Sequence, residues 1–408
     1  MNFGFFTILA AQFFSSLADN ALLFAAIALL KEYSAPDWQT PVLQQFFVFS
    51  YIVLAPFVGP FADAIPKGRV MFVSNAVKFT GCLAMLAGLH PLLAYGIVGI
   101  GAAMYSPAKY GILTEYLPPE RLVWANGWME GLTVASIIVG AITGGFLIGP
   151  HAQQIAQGGI GLPGIDTAAR LALVAIVLLY VTAAVFNLYI PRVALDHKLP
   201  RKTLPYILHD FWHCFRLLWK DPLGQVSLAV TTLFWGAGAT LRLIILAWAA
   251  VALGYSLEKA TLLTAVVAVG IALGSVLAAK YVHLERSVKV LPVGIAMGAV
   301  VMLMTLVTSE WVAAALLVAV GAMGGFFVVP MNALLQHRGH LLMGAGHSIA
   351  IQNFNENLSI IVMLGAYALM LRGGFSITTI VLAFGIFVAA CMTWLWRKHG
   401  HDQDAGQT

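Results

Sequence analysis

Six ionisable side chains stand inside, or just inside, long apolar runs of this sequence: Asp19, Lys78, Lys109, Glu130, Arg242 and Glu356. A lone charge is costly in hydrocarbon, so such residues pair with one another, fix helix register, or face a polar solute path. Three acids and three bases can neutralise each other, and the chemistry open to them is recognition of charge rather than bond breaking. Asp19 and Asn20 lie near the middle of the run from Phe3 to Leu30, where Gln12, Ser15, Ser16 and Asp19 recur at helical spacing as one polar stripe. Thr231, Trp235, Gly238 and Arg242 form a second stripe in the corresponding segment of the other half. Opposite charges at matching mid-segment positions predict an Asp19–Arg242 pair, or a shared polar network.

A third polar face holds Ser348, Gln352, Asn355, Glu356 and Ser359, with Asn353 and Asn357 beside it. So many amides at bilayer depth require partners, and a polar headgroup or a water column would supply them. Lys109, in Ser106-Pro107-Ala108-Lys109-Tyr110-Gly111, could bind a phosphate or snorkel to the interface. Lys78 has little polar company and reads at least as well as a register-fixing or snorkelling residue. The candidate binding set is Asp19, Asn20, Lys109, Glu130, Arg242, Gln352, Asn355 and Glu356.

The turn Gly59-Pro60-Phe61-Ala62-Asp63-Ala64-Ile65-Pro66-Lys67-Gly68-Arg69 carries a different signal. Gly59 permits close helix approach, and Asp63 can accept from a neighbouring helix N-terminus or a basic side chain. Lys67 and Arg69 can anchor the loop to lipid phosphates. Gly59, Asp63, Lys67, Gly68 and Arg69 are therefore expected to form a gate; the corresponding stretch Gly274 to Lys289 lacks the acid.

Catalytic signatures are missing. There is no GxxxxGK[ST] and no HExxH, and no histidine has an aspartate four residues away as a membrane acyltransferase would show. His209 and Asp210 are adjacent, while His283, His337, His340 and His347 read as scattered surface residues. Cys82, Cys214 and Cys391 are far apart and suggest neither a metal site nor a disulfide framework. No enzyme activity, cofactor or metal is expected.

These residues must be positioned by membrane-spanning helices, because the chain is 60% apolar and only 10% charged over 408 residues. Its net charge of +5 does not point to nucleic acid, since the bases cluster in short loops between apolar runs. Crossings are expected at about 3–30, 41–62, 70–89, 91–113, 122–148 and 168–190, then 223–253, 258–280, 288–308, 311–335, 341–371 and 374–396. Between the sixth and seventh lies a polar linker, 191–222, whose Tyr206 to Trp219 portion reads as an interfacial amphipathic helix. The expected organisation is a six-helix half at 1–190, this linker, a second half at 223–398 and a tail at 399–408. Fifteen basic residues fall on the side of the termini and four, Lys31, Arg170, Lys259 and Arg372, on the other, which predicts cytoplasmic termini. Gly140-x-x-x-Gly144 and Gly145-x-x-x-Gly149 read as close helix contacts.

The halves echo one another. Pro107-Ala108-Lys109 parallels Pro330-Met331-Asn332, and Asn126-x-x-x-Glu130 parallels Gln352-x-x-x-Glu356. Twelve crossings in two related halves predict an all-α major facilitator architecture.

Four longer strings make the reading more specific: Leu17-Ala18-Asp19-Asn20-Ala21-Leu22-Leu23-Phe24, Tyr105 through Leu113, Phe234 through Arg242, and Gln352-Asn353-Phe354-Asn355-Glu356-Asn357. Together they resemble the bacterial lysophospholipid transporter family, a branch of the major facilitator superfamily. The resemblance covers nearly the whole chain, except the loop His151 to Asp166 and the last residues. It implies movement of lysophosphatidylethanolamine and related lysolipids from the outer to the inner leaflet of a bacterial inner membrane, where an acyltransferase regenerates the diacyl lipid. Some relatives carry that enzyme fused; the short stretch after the last crossing leads us to expect a separate partner. A phosphate and an ammonium could meet Arg242 and acids such as Asp19 or Glu130, while the tail stays in the bilayer. Two alternatives are an exporter of amphipathic drugs or small metabolites on the same fold, and an integral membrane enzyme acting on lipids.

Overall fold

The computed structural model describes residues 3–36, 39–158, 164–193 and 203–400. Lys198, Arg201 and Lys202, counted in the charge argument, and the tail from 401 onward lie outside the described residues.

Among the described residues every regular element is helical. The helices are α1 (Phe3–Glu32), α2 (Gln39–Ala64), α3 (Lys67–Leu86), α4 (Pro91–Tyr116), α5 (Leu122–Leu147), α6 (Pro150–Gln157), α7 (Ala168–Leu188), α8 (Leu204–Lys220), α9 (Pro222–Ala252), α10 (Leu257–Tyr281), α11 (Leu291–Leu303), α12 (Glu310–Met343), α13 (Ala345–Arg372) and α14 (Ile377–His399). Twelve of these, counting α11 with its flanking 3₁₀ turns as Leu284–Leu306, are long and apolar enough to cross a membrane. They match the expected crossings. The other two are short or amphipathic.

Helix α6 falls largely in the segment expected to be the loop His151 to Asp166, and it starts where Pro150 follows Gly149. Proline at the first helical position loses no hydrogen bond, which lets a short helix begin there. Helix α8 buries Phe211, Cys214 and Leu218 while Leu204, Leu208 and Trp212 stay exposed. An apolar face on a helix that also carries His209, Asp210, His213, Arg216 and Lys220 suits a membrane interface.

The chain forms two compact units. The first comprises Met1–Tyr116, Ala135–Phe211 and Gly344–Ala350; the second comprises Leu117–Val134, Trp212–Met343 and Ile351–Thr408. Helix α5 is thus shared between them, and the first turn of α13 belongs with α1 to α4.

Small residues set the packing inside each unit. In the first, Ala18, Ala21, Ala25 and Ala26 of α1 join Ile176 and Tyr180 of α7 in a buried core. A Cβ at Gly140 would come within 2.9 Å of Leu17 O, and one at Gly144 within 3.1 Å of Ala21 Cα, so this pair is the expected close contact, made with α1. Gly145 has nothing within 4 Å, so the second glycine pair makes no such contact there. In the second unit, α10 and α12 interlock through Gly270, Gly274, Gly321 and Gly325, where a Cβ would overlap a facing backbone oxygen.

Candidate substrate and gating sites

Asp19 is the acid in the first unit around which the other polar groups gather. Its Oδ2 accepts from Lys78 Nζ at 2.7 Å, and its Oδ1 accepts from the Tyr180 hydroxyl at 2.7 Å. These bonds come from α3 and α7, so the counter-charge of Asp19 within its unit is Lys78, where the sequence had pointed to Arg242. Lys78 is 1% exposed and therefore does not snorkel. Its ammonium also donates to Ser15 Oγ at 3.1 Å and lies 4.7 Å from the Tyr105 ring centre. Ser15 in turn donates to Asn75 Oδ1 at 2.8 Å, and Ser136 of α5 donates to Ser16. The polar stripe of α1 thus spends Ser15 and Ser16 on bonds between helices. Asn20 turns its amide back to Ser16 O on its own helix.

The α2–α3 turn builds a second ionic cluster. Asp63 Oδ1 accepts from Gly346 N at 2.7 Å, and its Oδ2 accepts from His347 N at 3.1 Å. These are the first backbone donors of α13, which have no partner inside their own helix. A carboxylate there also meets the positive end of the helix dipole. Gly59 makes the approach possible, since a Cβ on it would meet His347 Cα at 3.0 Å. Gly68 does the same beside Asn187 O at 3.0 Å.

Lys67 is buried, which corrects its expected role as a lipid-phosphate anchor. Its three ammonium protons are met by Ala62 O at 2.7 Å, Asp63 Oδ1 at 2.8 Å and Glu115 Oε1 at 2.9 Å. Two acids and a helix end supply what lipid would otherwise provide. Arg69, by contrast, is exposed. His347, expected at the surface, is 7% exposed and stands between two acids. Its Nδ1 is 2.6 Å from Asp63 Oδ2, and its Nε2 is 3.2 Å from Asp210 Oδ2 on α8. The second contact is an ion-pair distance without hydrogen-bond alignment.

The second unit holds its acids among amides. Asn126 and Gln336 exchange hydrogen bonds of 2.9 and 2.8 Å. Asn332 donates to Glu130 Oε1 at 3.3 Å and accepts from Gln352 Nε2 at 2.8 Å; Gln352 also donates to Glu356 Oε1 at 2.7 Å. The network therefore joins Glu130, Asn332, Gln352 and Glu356, drawing on both repeats noted above. Asn355 bonds its amide to Ile351 O on its own helix. Asp221 caps α9 through Gly224 N at 2.8 Å and receives Arg338 Nε at 3.0 Å.

Two binding candidates are placed differently. Arg242 is exposed. Lys109 is buried with its ammonium 4.2 Å over the Tyr110 ring, so it does not reach an interface. Sequence reasoning left Tyr180, Asn75, Glu115, Asp210, Asn332 and Gln336 out of the site. Readable signals existed for Glu115, an acid at the end of a crossing, and for Asn332, the repeat counterpart of Lys109.

Outside the spans, Tyr255 donates its hydroxyl to Glu310; that hydrogen bond, with some desolvation, holds the phenol above its usual range.

Twelve helices long and apolar enough to cross a bilayer, with acids and bases buried among them, are the architecture of a polytopic membrane carrier. The Major Facilitator Superfamily profile matches residues 8–364. The Lysophospholipid transporter LplT of Yersinia pestis is 46% identical over 368 residues, covering 90% of this chain and 86% of that protein, as is its counterpart in Yersinia pseudotuberculosis. The chain belongs to the Major Facilitator Superfamily and, within it, to the family of these lysophospholipid transporters. The fold agrees: the transporter FucP in its outward conformation superposes with a TM-score of 0.75 at 14% identity, covering 97% of this chain and 98% of that one. A bacterial homologue of the iron transporter ferroportin in an outward-facing state gives 0.69 at 14% identity, covering 97% and 100%.

Proposed function

We propose that this protein carries lysophospholipids, chiefly lysophosphatidylethanolamine, from the outer to the inner leaflet of a bacterial inner membrane. The observation that carries this reading is the 46% identity over 368 residues to relatives named lysophospholipid transporters. A phosphate and an ammonium need charges of both signs, and the candidate set supplies an exposed base in Arg242 and acids in Glu130 and Glu356. A tail-sized space supports the same reading. An apolar groove of about 470 Å³ runs between the first turns of α5 and the end of α10, lined by Trp124, Gly127, Trp128, Gly131 and Val276, and ends at Lys280. It would hold an acyl chain at the bilayer face while the headgroup is handled elsewhere.

Transport would proceed by alternating access of residues 1–190 and 223–398 about the 191–222 linker, with both termini in the cytoplasm. Asp63 and its bonds to Gly346 and His347 tie together residues from opposite ends of the sequence, as a latch must. Lys67, held between Asp63 and Glu115, would keep that latch charged, with Gly59 and Gly68 allowing the helices to close on it. Arg69 would stand at the lipid surface. An acyltransferase is the functional partner that consumes the delivered lysolipid.

Thermal unfolding of the purified protein with candidate solutes tests the substrate class. Lysophosphatidylethanolamine should raise Tm in a dose-dependent manner while sugars and soluble cations do not. Stabilisation by an amphipathic cation or a sugar, and none by the lysolipid, would favour an exporter instead.

A further inference from the structure

The ammonium of Lys78 sits in surroundings that suit a free monovalent cation. One carboxylate oxygen lies at 2.7 Å, one hydroxyl oxygen at 3.1 Å, and two aromatic faces, Tyr105 and Tyr180, have ring centres at 4.7 and 5.8 Å. A carboxylate, a neutral oxygen and π faces attract sodium or a small ammonium for the same electrostatic reasons. The surroundings are prepared around it. Asp19 is oriented from behind by Tyr180, Ser15 is turned by Asn75, and both Asn75 and Lys78 are fully enclosed. Gly101 of α4 clears the lysine stem, since a Cβ there would meet Lys78 Cγ at 2.7 Å. The Asp19 side chain keeps 22% of its surface open, whereas that of Lys78 keeps 1%. The site is reachable from the carboxylate side and closed on the lysine side.

We propose that Lys78 is a tethered cation: its ammonium permanently occupies a monovalent-cation site built from Asp19, Ser15, Tyr105 and Tyr180. A covalently held ion cannot leave with the solute, so the charge on Asp19 is balanced at every stage without sodium or any other external cation. Shortening the lysine should turn a built-in ion into an exchangeable one.

The test uses purified full-length protein at constant ionic strength, with choline as the inert cation and sodium or ethylammonium as the probe. Wild-type Tm is expected to be the same in all three salts. Lys78→Ala should melt lower in choline and recover by roughly 5 °C in saturating sodium or ethylammonium. The double variant Asp19→Asn/Lys78→Ala should lose that response, because the carboxylate that attracts the cation is gone. Should Lys78→Ala resist purification in choline, recovery of monodisperse Lys78→Ser from membranes solubilised in each salt is the readout, and it is expected only with sodium or ethylammonium. A purely structural ion pair would not respond to an added cation. The proposal is overturned by a Lys78→Ala protein indifferent to every cation, by recovery of Lys78→Ser in no salt or equally in all, or by a wild type that itself responds to sodium. None of these readouts uses lysolipid, so they stand or fall separately from the assigned substrate.

Discussion

The two compact units give their buried acids different neighbours. The first pairs formal charges: Lys78 with Asp19, and Lys67 with Asp63 and Glu115. The second surrounds Glu130 and Glu356 with the amides of Asn332 and Gln352, beside the reciprocal Asn126–Gln336 pair. Ion pairs are strong when made and costly when broken, which suits a lasting pair at Lys78 and, at Lys67, a part that must choose between two arrangements. Amide bonds cost less to rearrange, which suits a surface that trades partners with a solute. On the proposed function the first unit would supply the latch and the second a pliable polar lining.

The largest effect should come from Lys67→Met. It leaves Asp63 and Glu115 buried without their shared base, and a stability loss of about 3–5 kcal/mol is expected by thermal unfolding in detergent, together with loss of transport. Lys78→Met should cost nearly as much. Combined with Asp19→Asn it should cost less than the sum of the two single changes, because the double variant leaves no uncompensated charge; a double-mutant cycle measures the coupling. Fully additive effects would mean that the two side chains do not act as a pair. In the second unit, Asn126→Leu should cost about 1–3 kcal/mol by stranding the buried Gln336 amide, and Asn126→Leu/Gln336→Leu should recover part of that loss. The smallest change in stability belongs to Arg242→Ala, within about 0.5 kcal/mol, because the side chain is exposed. Its transport should nevertheless fall, and a variant with unchanged flux would remove Arg242 from the headgroup site.

The architecture was legible because spanning helices need long apolar runs, and each of the twelve appears as one. Charge spacing was less informative. Helical periodicity says which residues share a face but not which helix stands opposite, so matching mid-segment positions pointed Asp19 to Arg242 and left Lys78 as a register-fixing or snorkelling residue. Interhelical packing made the choice: the glycine at 101 lets the Lys78 stem pass α4 and reach α1. Lys67 misled for a related reason, since a basic residue in a short loop looks the same whether it meets lipid or a buried acid. Only Glu115, from a different helix, reveals the difference. His347 looked isolated because Asp63 and Asp210 are distant in sequence. Asp63 itself was readable, because an acid four residues after a glycine at a helix end is a good acceptor for a neighbouring helix terminus.

Flux of lysophosphatidylethanolamine into proteoliposomes containing only this protein tests the central claim most directly. Transbilayer movement of chemically unaltered lysolipid is predicted for the wild type, with strong loss in Lys67→Met. Flux equal to that of empty vesicles, or a chemically modified product, would contradict it.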